Sequence, residues 1–183
     1  MSICIFPGTF NPIHDGHLKM AEYAIQKYGF EKIIFIPAYN PPHKNIDNNL
    51  AKHRYNMVKI ATKYNPRFEV SDIEYKREKK SYTIITVKEI IKQYQIDSRL
   101  NFIIGTDAFS KIDSWYEAEN LKKLVHFIVF PRRGTEINIS KNWSYELTDM
   151  EYIDISSTEI RAGGNNTKIN IEEYIKKNGL YKI

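Results

Sequence analysis

The sequence predicts an α/β fold: a Rossmann-like, doubly wound parallel sheet of about five or six strands with helices on both faces. Short apolar segments alternate along the 183 residues with longer segments of helical period, as in parallel sheets covered by helices. Polar or glycine-containing segments directly follow several apolar ones, which is typical of ligand sites at the carboxyl ends of parallel strands. The length fits one hydrophobic core.

The predicted strands cover residues 2–6, 32–37, 67–71, 100–105 and 125–130, with a further short strand at 151–155. The predicted helices cover residues 17–27, 50–63, 83–94, 115–123, 157–161 and 171–177. No internal repeat or linker divides the chain. We therefore expect a single domain over residues 1–183, with the helices from 157 onward packed on it.

Composition limits the classes of partner. The net charge of +5 suits anionic ligands, but Lys, Ile, Asn and Tyr are all abundant, so the charge alone decides nothing. Cys4 is the only cysteine, which excludes an intrachain disulfide. Because no secretory signal and no apolar run of membrane-spanning length are visible, we expect a cytoplasmic protein without a membrane partner.

The loop after the first strand carries the chemistry. We expect that strand to end at Phe6, because the following Pro7 and Gly8 favour a turn, where Gly8 permits close approach to a ligand. Asp15 is predicted to cap the next helix, whose free N–H groups and dipole favour a phosphate.

His14 and His17 lie three residues apart, so both side chains can face one spot. Two imidazole donors directed at one phosphate stabilise the charge that develops during nucleotidyl transfer. Alternatively, they are two surface histidines. A zinc site is excluded, because no cluster of Cys, His or carboxylate residues with suitable spacing completes it.

The run Gly8-Thr9-Phe10-Asn11-Pro12, followed by His14-Asp15-Gly16-His17, resembles the signature of the nucleotidyltransferase superfamily with a (H/T)xGH motif. Within that superfamily the chain is most similar to bacterial nicotinate-nucleotide adenylyltransferases. A second match lies near the other end, where Ser156 to Arg161 resembles the ISSTxIR motif that binds ATP phosphates. Ser156 and Glu159 also have the spacing of a capping box.

The resemblance implies the roles of the site residues. The expected catalytic residues are His14 and His17. The expected ATP-binding residues are Gly8, Thr9, Phe10, His14, His17, Gly105, Asp107, Ser156, Ser157, Thr158 and Arg161. The expected nicotinate-nucleotide-binding residues are Asn11, His43, Lys44, Tyr82, Thr83, Trp115, Tyr116 and Arg132. Arg133 is a further candidate without a defined role.

Three departures from the family pattern stand out. Pro7 replaces the usual glycine, and a proline at this position is commoner in pantetheine-phosphate adenylyltransferases. Asn11 replaces the usual aspartate. Gly163 and Gly164 end the last motif's helix early. The departures at Pro7 and Asn11 affect the assignment to a subfamily, and the early end of the helix affects how the C-terminal segment packs.

The resemblance implies adenylyl transfer from ATP to nicotinate mononucleotide, with Mg²⁺ bound to the ATP phosphates and no metal held by protein side chains. Pantetheine-phosphate adenylyltransferase is the nearest alternative, although His14 and Trp115 argue against it. A non-catalytic nucleotide or RNA binder is an alternative of another class, but no interleaved aromatic and basic stretch supports a nucleic-acid partner. The sequence leaves a homo-oligomer open.

Overall fold

The computed structural model describes residues 2–77, 79–132, 142–151, 155–164 and 169–181. Its described strands form one sheet in the order β3-β2-β1-β4-β5-β6, in which every neighbouring pair is parallel. The strands are β1 (Ile3–Gly8), β2 (Lys32–Pro37), β3 (Phe68–Val70), β4 (Leu100–Gly105), β5 (Val125–Phe130) and β6 (Tyr145–Leu147).

The α-helices are α1 (Asp15–Tyr28), α2 (Ala51–Thr62), α3 (Thr83–Tyr94), α4 (Thr106–Phe109), α5 (Ala118–Lys122), α6 (Ser157–Arg161) and α7 (Ile169–Lys177). Short 3-10 helices cover Asn48–Leu50, Ile73–Lys76 and Ile112–Ser114. Among the described residues, no helix has both the length and the apolar character needed to cross a membrane.

Helices cover both faces of the sheet. Successive residues of a strand point to opposite faces, so Cys4 and Phe6 pack with residues of α1, α2 and α7, whereas Ile3 and Ile5 pack with residues of α3 and α5. Every one of these strand residues is buried. The predicted doubly wound α/β architecture is therefore confirmed.

The prediction that β1 ends at Phe6 is wrong, because β1 continues through Pro7 and Gly8. Pro7 pairs in register with Ile36, and the Gly8 carbonyl accepts a hydrogen bond from the Ala38 amide on the β2 side. The peptide groups of successive strand residues point toward opposite neighbouring strands. The nitrogen of Pro7, which has no hydrogen to donate, therefore points toward β4, and it does so beyond Ile5, where the pairing of β1 with β4 ends.

Other boundaries also differ from the prediction. β6 was not predicted, because its three residues are all exposed and form no apolar run; backbone pairing with β5 defines it. The helix predicted from Trp115 begins only at Ala118, because Glu117 takes a left-handed conformation with φ 53. The predicted strand at 151–155 lies largely outside the described residues.

The order of the strands determines where a ligand can bind. β1 lies between β2 and β4, and the chain leaves β1 toward one side of the sheet and returns to the other side at β4. Adjacent loops diverge at such a switch point and leave a crevice at the carboxyl ends of the strands. The segments after β1, β2 and β4 meet there.

Candidate active site

A cavity of about 600 Å³ opens at the carboxyl ends of β1, β2 and β4, a volume typical of small-molecule sites. It brings together more than half of the predicted site residues. Those in its lining are Gly8, Thr9, His43, Lys44, Tyr82, Thr83, Gly105, Asp107, Trp115 and Tyr116. His14, His17, Asn11, Arg161 and the Ser156–Thr158 segment lie beside this cavity rather than in its lining.

The start of α1 holds the two histidines by backbone hydrogen bonds. His14, and not the predicted Asp15, is the N-cap: its Nδ1 accepts from the Gly16 amide at 3.1 Å. His17 Nδ1 accepts from the His14 amide, also at 3.1 Å, which completes a reciprocal capping box. A Cβ at Gly16 would lie 2.8 Å from the His14 ring, so this cap requires glycine there.

These bonds determine the tautomer of both rings. An Nδ1 that accepts a hydrogen bond carries no proton, so the proton of each neutral imidazole lies on Nε2. Burial lowers the pKa of His14 to about 4, and burial followed by the charges of His14 and Lys44 lowers the pKa of His17 well below its ordinary value. Near neutral pH the site therefore holds two uncharged imidazoles, stacked at 3.8 Å, whose Nε2–H groups are left for a ligand.

Arg54 joins the loops that follow β1 and β2. Its side chain is fully buried, with 0% exposure, and its Nη1 donates to the carbonyl oxygens of Thr9 at 2.8 Å and Ala38 at 2.6 Å. Its Nη2 donates to the Tyr39 carbonyl at 3.3 Å. All three partners are neutral carbonyl groups, so these bonds leave the positive charge of the guanidinium uncancelled.

Other positively charged side chains, from separate segments of the chain, lie near Arg54. Partial desolvation lowers the pKa of Lys44, and the neighbouring charges of Arg161, Arg54 and Lys111 lower it further. We call Lys44, Arg54, Lys111 and Arg161 the cation cluster. Like charges held together in this way favour binding of an anion, whose charge offsets their repulsion.

The C-terminal motif contacts the loop after β1. Ser156 caps α6 as predicted, accepting from the Glu159 amide at 3.1 Å. The hydroxyl of Ser157 donates to the Pro12 carbonyl at 2.9 Å, and Arg161 Nη1 donates to the Asn11 carbonyl at 2.8 Å. Thr158 is exposed, and its Oγ1 accepts from Arg161 Nη2. The two motifs that resemble the family signature are therefore in contact.

The opposite wall of the cavity is aromatic. Trp115 is half-buried and packs against Phe102, and the exposed ring of Tyr116 lies 4.5 Å from that of Tyr82. Tyr82 is the N-cap residue of α3, which places Thr83 at the first position of that helix. The arrangement can take a flat ring between side chains and backbone N–H groups.

Two predicted residues, Phe10 and Arg132, occupy positions that differ from the expected grouping. The Phe10 ring is buried against Phe6 and Phe35, so its side chain belongs to the core. Arg132 lies outside the cavity lining and forms an ion pair with Asp107 at 2.7 Å, next to the residues expected for ATP. Arg133 lies outside the described residues.

Sequence reasoning missed Arg54 and Lys111. Arg54 lies within the amphipathic sequence of α2, where an arginine is expected on the solvent-exposed face. Its burial is visible only in the tertiary structure. Lys111 lines the cavity shortly after β4, a position that the rule for carboxyl ends of strands could have identified.

The sequence profile of the cytidylyltransferase-like family matches residues 5–163. The chain is 41% identical to a protein of Caldicellulosiruptor saccharolyticus named as a nicotinate-nucleotide adenylyltransferase, with 100% of both chains covered. It is 42% identical to a protein of the same name from a Thermoanaerobacter species, over 97% of this chain and 93% of that protein. The solved structure of Plasmodium falciparum nicotinic acid mononucleotide adenylyltransferase, complexed with NaAD, shares the fold, with a TM-score of 0.81 at 23% identity over 98% of this chain and 96% of that one.

Proposed function

We infer the reaction from the family, because the chain belongs to the nicotinate-nucleotide adenylyltransferases within the cytidylyltransferase-like family. The chain is an enzyme of NAD biosynthesis that transfers the adenylyl group of ATP to nicotinate mononucleotide. The products are nicotinate adenine dinucleotide and pyrophosphate. No covalent enzyme intermediate is needed.

The observation that carries the assignment of roles is the pair of fixed Nε2–H donors beside the cation cluster. An oxygen of the mononucleotide 5′-phosphate attacks the α-phosphorus of ATP in line. The bond from that phosphorus to the oxygen bridging the α- and β-phosphates breaks, and pyrophosphate leaves. Negative charge grows on the phosphate oxygens as this happens, and His14 and His17 donate hydrogen bonds to it.

The remaining phosphates face the cationic groups. Arg161, with the α6 hydroxyl residues Ser156 and Thr158, holds the β- and γ-phosphates of ATP. Lys44, from the loop after β2, holds the phosphate of the mononucleotide. The cation cluster supplies the countercharge, so positioning and electrostatics account for the catalysis.

Mg²⁺ enters as part of the ATP substrate, bound to its phosphates. The cations and N–H donors described above suit phosphate oxygens, and the carboxylates of Glu74 and Asp107 also line the cavity. Among the described residues, no three His, Cys, Asp or Glu side chains lie close enough to hold one. We assign the metal to the phosphates of the substrate.

The pyridine ring lies between Trp115 and Tyr116, and the amide groups at Tyr82 and Thr83 face its substituent. Asn11 and His43 complete the acceptor contacts. Gly8, Thr9, Phe10 (through its backbone), Gly105 and Asp107 contact the adenosine half. A cytoplasmic location and a single domain stay predictions from the sequence, which leaves a homo-oligomer open.

One experiment tests the reaction and its acceptor. The enzyme is incubated with ATP, Mg²⁺ and, separately, nicotinate mononucleotide, nicotinamide mononucleotide or 4′-phosphopantetheine, and the products are weighed by mass spectrometry while pyrophosphate is assayed. We expect the largest rate with nicotinate mononucleotide. Release of pyrophosphate only with phosphopantetheine would overturn the acceptor, and ATP binding without turnover would overturn the enzymatic assignment.

A further inference from the structure

Tyr181 lies near the end of the chain, yet it contacts the loop after β1. Its hydroxyl donates a hydrogen bond to Asn11 Oδ1 at 2.5 Å, across 170 residues of sequence. The side chain is half-buried. A donor from so distant a segment is not needed to form the loop locally, so its contribution lies in how the Asn11 side chain is held.

The surroundings of the hydroxyl are those of the reaction site. Burial raises the pKa of Tyr181 to about 12, and the charges of Arg54 and Arg161 oppose that rise. The same two arginines lower the pKa of Lys44, so the Tyr181 hydroxyl and the Lys44 ammonium lie in one electrostatic neighbourhood. Tyr181 stays protonated near neutral pH and acts as a hydrogen-bond donor.

The loop between β1 and α1 is held through its polar atoms. Arg54 binds the carbonyl of Thr9, Arg161 binds the carbonyl of Asn11, and Ser157 binds the carbonyl of Pro12. These three bonds hold the main chain of the loop. The Tyr181 hydroxyl binds the Asn11 side chain, whose rotation the loop's main-chain bonds do not restrict.

We propose that Tyr181 is a positioning residue for the acceptor, which it orients by holding the side chain of Asn11 beside the cation cluster. The inference depends on the proposed function, in which Asn11 contacts the mononucleotide. The Tyr181 hydroxyl binds the oxygen of the Asn11 side-chain amide. The nitrogen of that amide is thereby oriented away from Tyr181 and toward an anionic ligand. The C-terminal segment is thereby part of the acceptor site.

The test compares two tyrosine-to-phenylalanine substitutions. Tyr181→Phe removes only the hydroxyl that binds Asn11. Tyr174→Phe is the matched control, because its hydroxyl binds His53 at 2.9 Å and Asn56 at 3.2 Å on α2 instead of the loop. We expect Tyr181→Phe to raise the acceptor KM about 3–10-fold, the range for one lost hydrogen bond, with kcat and the ATP KM within about twofold of wild type. Tyr174→Phe is expected to leave all three constants unchanged.

A double-mutant cycle shows whether the effect passes through Asn11. In an Asn11→Ala background, Tyr181→Phe is expected to have no further effect, because its partner is already lost. In an Asn11→Asp background, which keeps an acceptor oxygen, Tyr181→Phe is expected to raise the acceptor KM again. Thermal midpoints of all variants are measured alongside, so that an unfolded variant is recognised and the cycle is read from the folded ones.

The outcomes separate this inference from the proposed function. A wild-type enzyme that makes no dinucleotide overturns the proposed function itself. With active wild type, the inference is overturned if Tyr181→Phe leaves the acceptor KM unchanged, if Tyr174→Phe raises it equally, or if the effects of Tyr181→Phe and Asn11→Ala simply add.

Discussion

The two sides of the cavity are built differently. The phosphate side, made of Gly8, Thr9, His14 and His17 with Arg54 and Arg161, is buried or half-buried and joined by hydrogen bonds: His14 is 8% exposed and Arg54 is 0% exposed. The acceptor side, made of His43, Lys44, Tyr82, Thr83, Trp115 and Tyr116, includes exposed residues, and Tyr116 is 53% exposed. Fixed donors are needed where charge develops in the transition state, whereas the acceptor's own ring can cover an exposed wall when it binds.

The largest effect is expected on the phosphate side. His17→Ala should lower kcat by about 10²–10³-fold, because it removes a donor that is already fixed when charge develops on the phosphates. Steady-state kinetics at saturating ATP measures the effect. His53→Ala, which removes a histidine packed against Tyr174 outside the cavity, is the control and should keep kcat near wild type. Near-wild-type turnover of His17→Ala would contradict the catalytic role.

Acidification should destabilise the phosphate side through its two buried histidines. The folded pKa of His14 is lowered to about 4 and that of His17 is lowered well below its ordinary value, so below pH of about 6.5 the unfolded chain binds protons that the folded chain does not. Stability is therefore unaffected by these groups above that pH and falls as pH drops below it. Each histidine contributes a slope of about 1.4 kcal/mol per pH unit.

Urea unfolding of the wild type and of a His14→Gln/His17→Gln variant between pH 7 and pH 5 measures that slope. The variant should lose stability less steeply over this range, whatever its stability at pH 7. Parallel curves for the two proteins would show that the histidines are not buried in the neutral form.

On the acceptor side, Lys44→Ala should raise the KM for the mononucleotide about tenfold, the scale of one lost hydrogen bond to a charged group. kcat should change much less, because Lys44 binds the acceptor phosphate rather than the breaking bond. Lys52→Ala removes the same charge from an exposed position of α2 and should change neither constant. A fall in kcat with unchanged KM would move Lys44 to the phosphate side.

The smallest effect is expected at the exposed ring of the acceptor side. Tyr116→Ala should raise the acceptor KM about threefold, within the range for one aromatic contact. Tyr64→Ala is the control, because Tyr64 is similarly exposed, at 50%, but lies outside the cavity lining. An effect as large as that of His17→Ala would mean that the two sides do not differ as described.

The sequence predicted the elements whose pattern is local. β2, β4, β5, α3 and α6 have the predicted limits, because each is a buried apolar run or an amphipathic segment with clear boundaries. β6 was missed because an exposed edge strand is defined by its pairing with β5 and not by its own residues. Pro7 was misjudged for the same reason: a proline is tolerated in a strand wherever its nitrogen faces no partner.

The sequence by itself determined the α/β class, the loop with His14 and His17, and the family to which the chain belongs, because apolar periodicity and short motifs are encoded by residues close in sequence. The tertiary structure decided that both Nε2–H groups are left for a ligand, that Arg54 is a buried charge joining two loops, and that Tyr181 reaches Asn11. These properties depend on burial and on contacts between distant segments, as in the 170 residues that separate Tyr181 from Asn11. No local pattern encodes them, since they arise only when the sheet brings its carboxyl ends together.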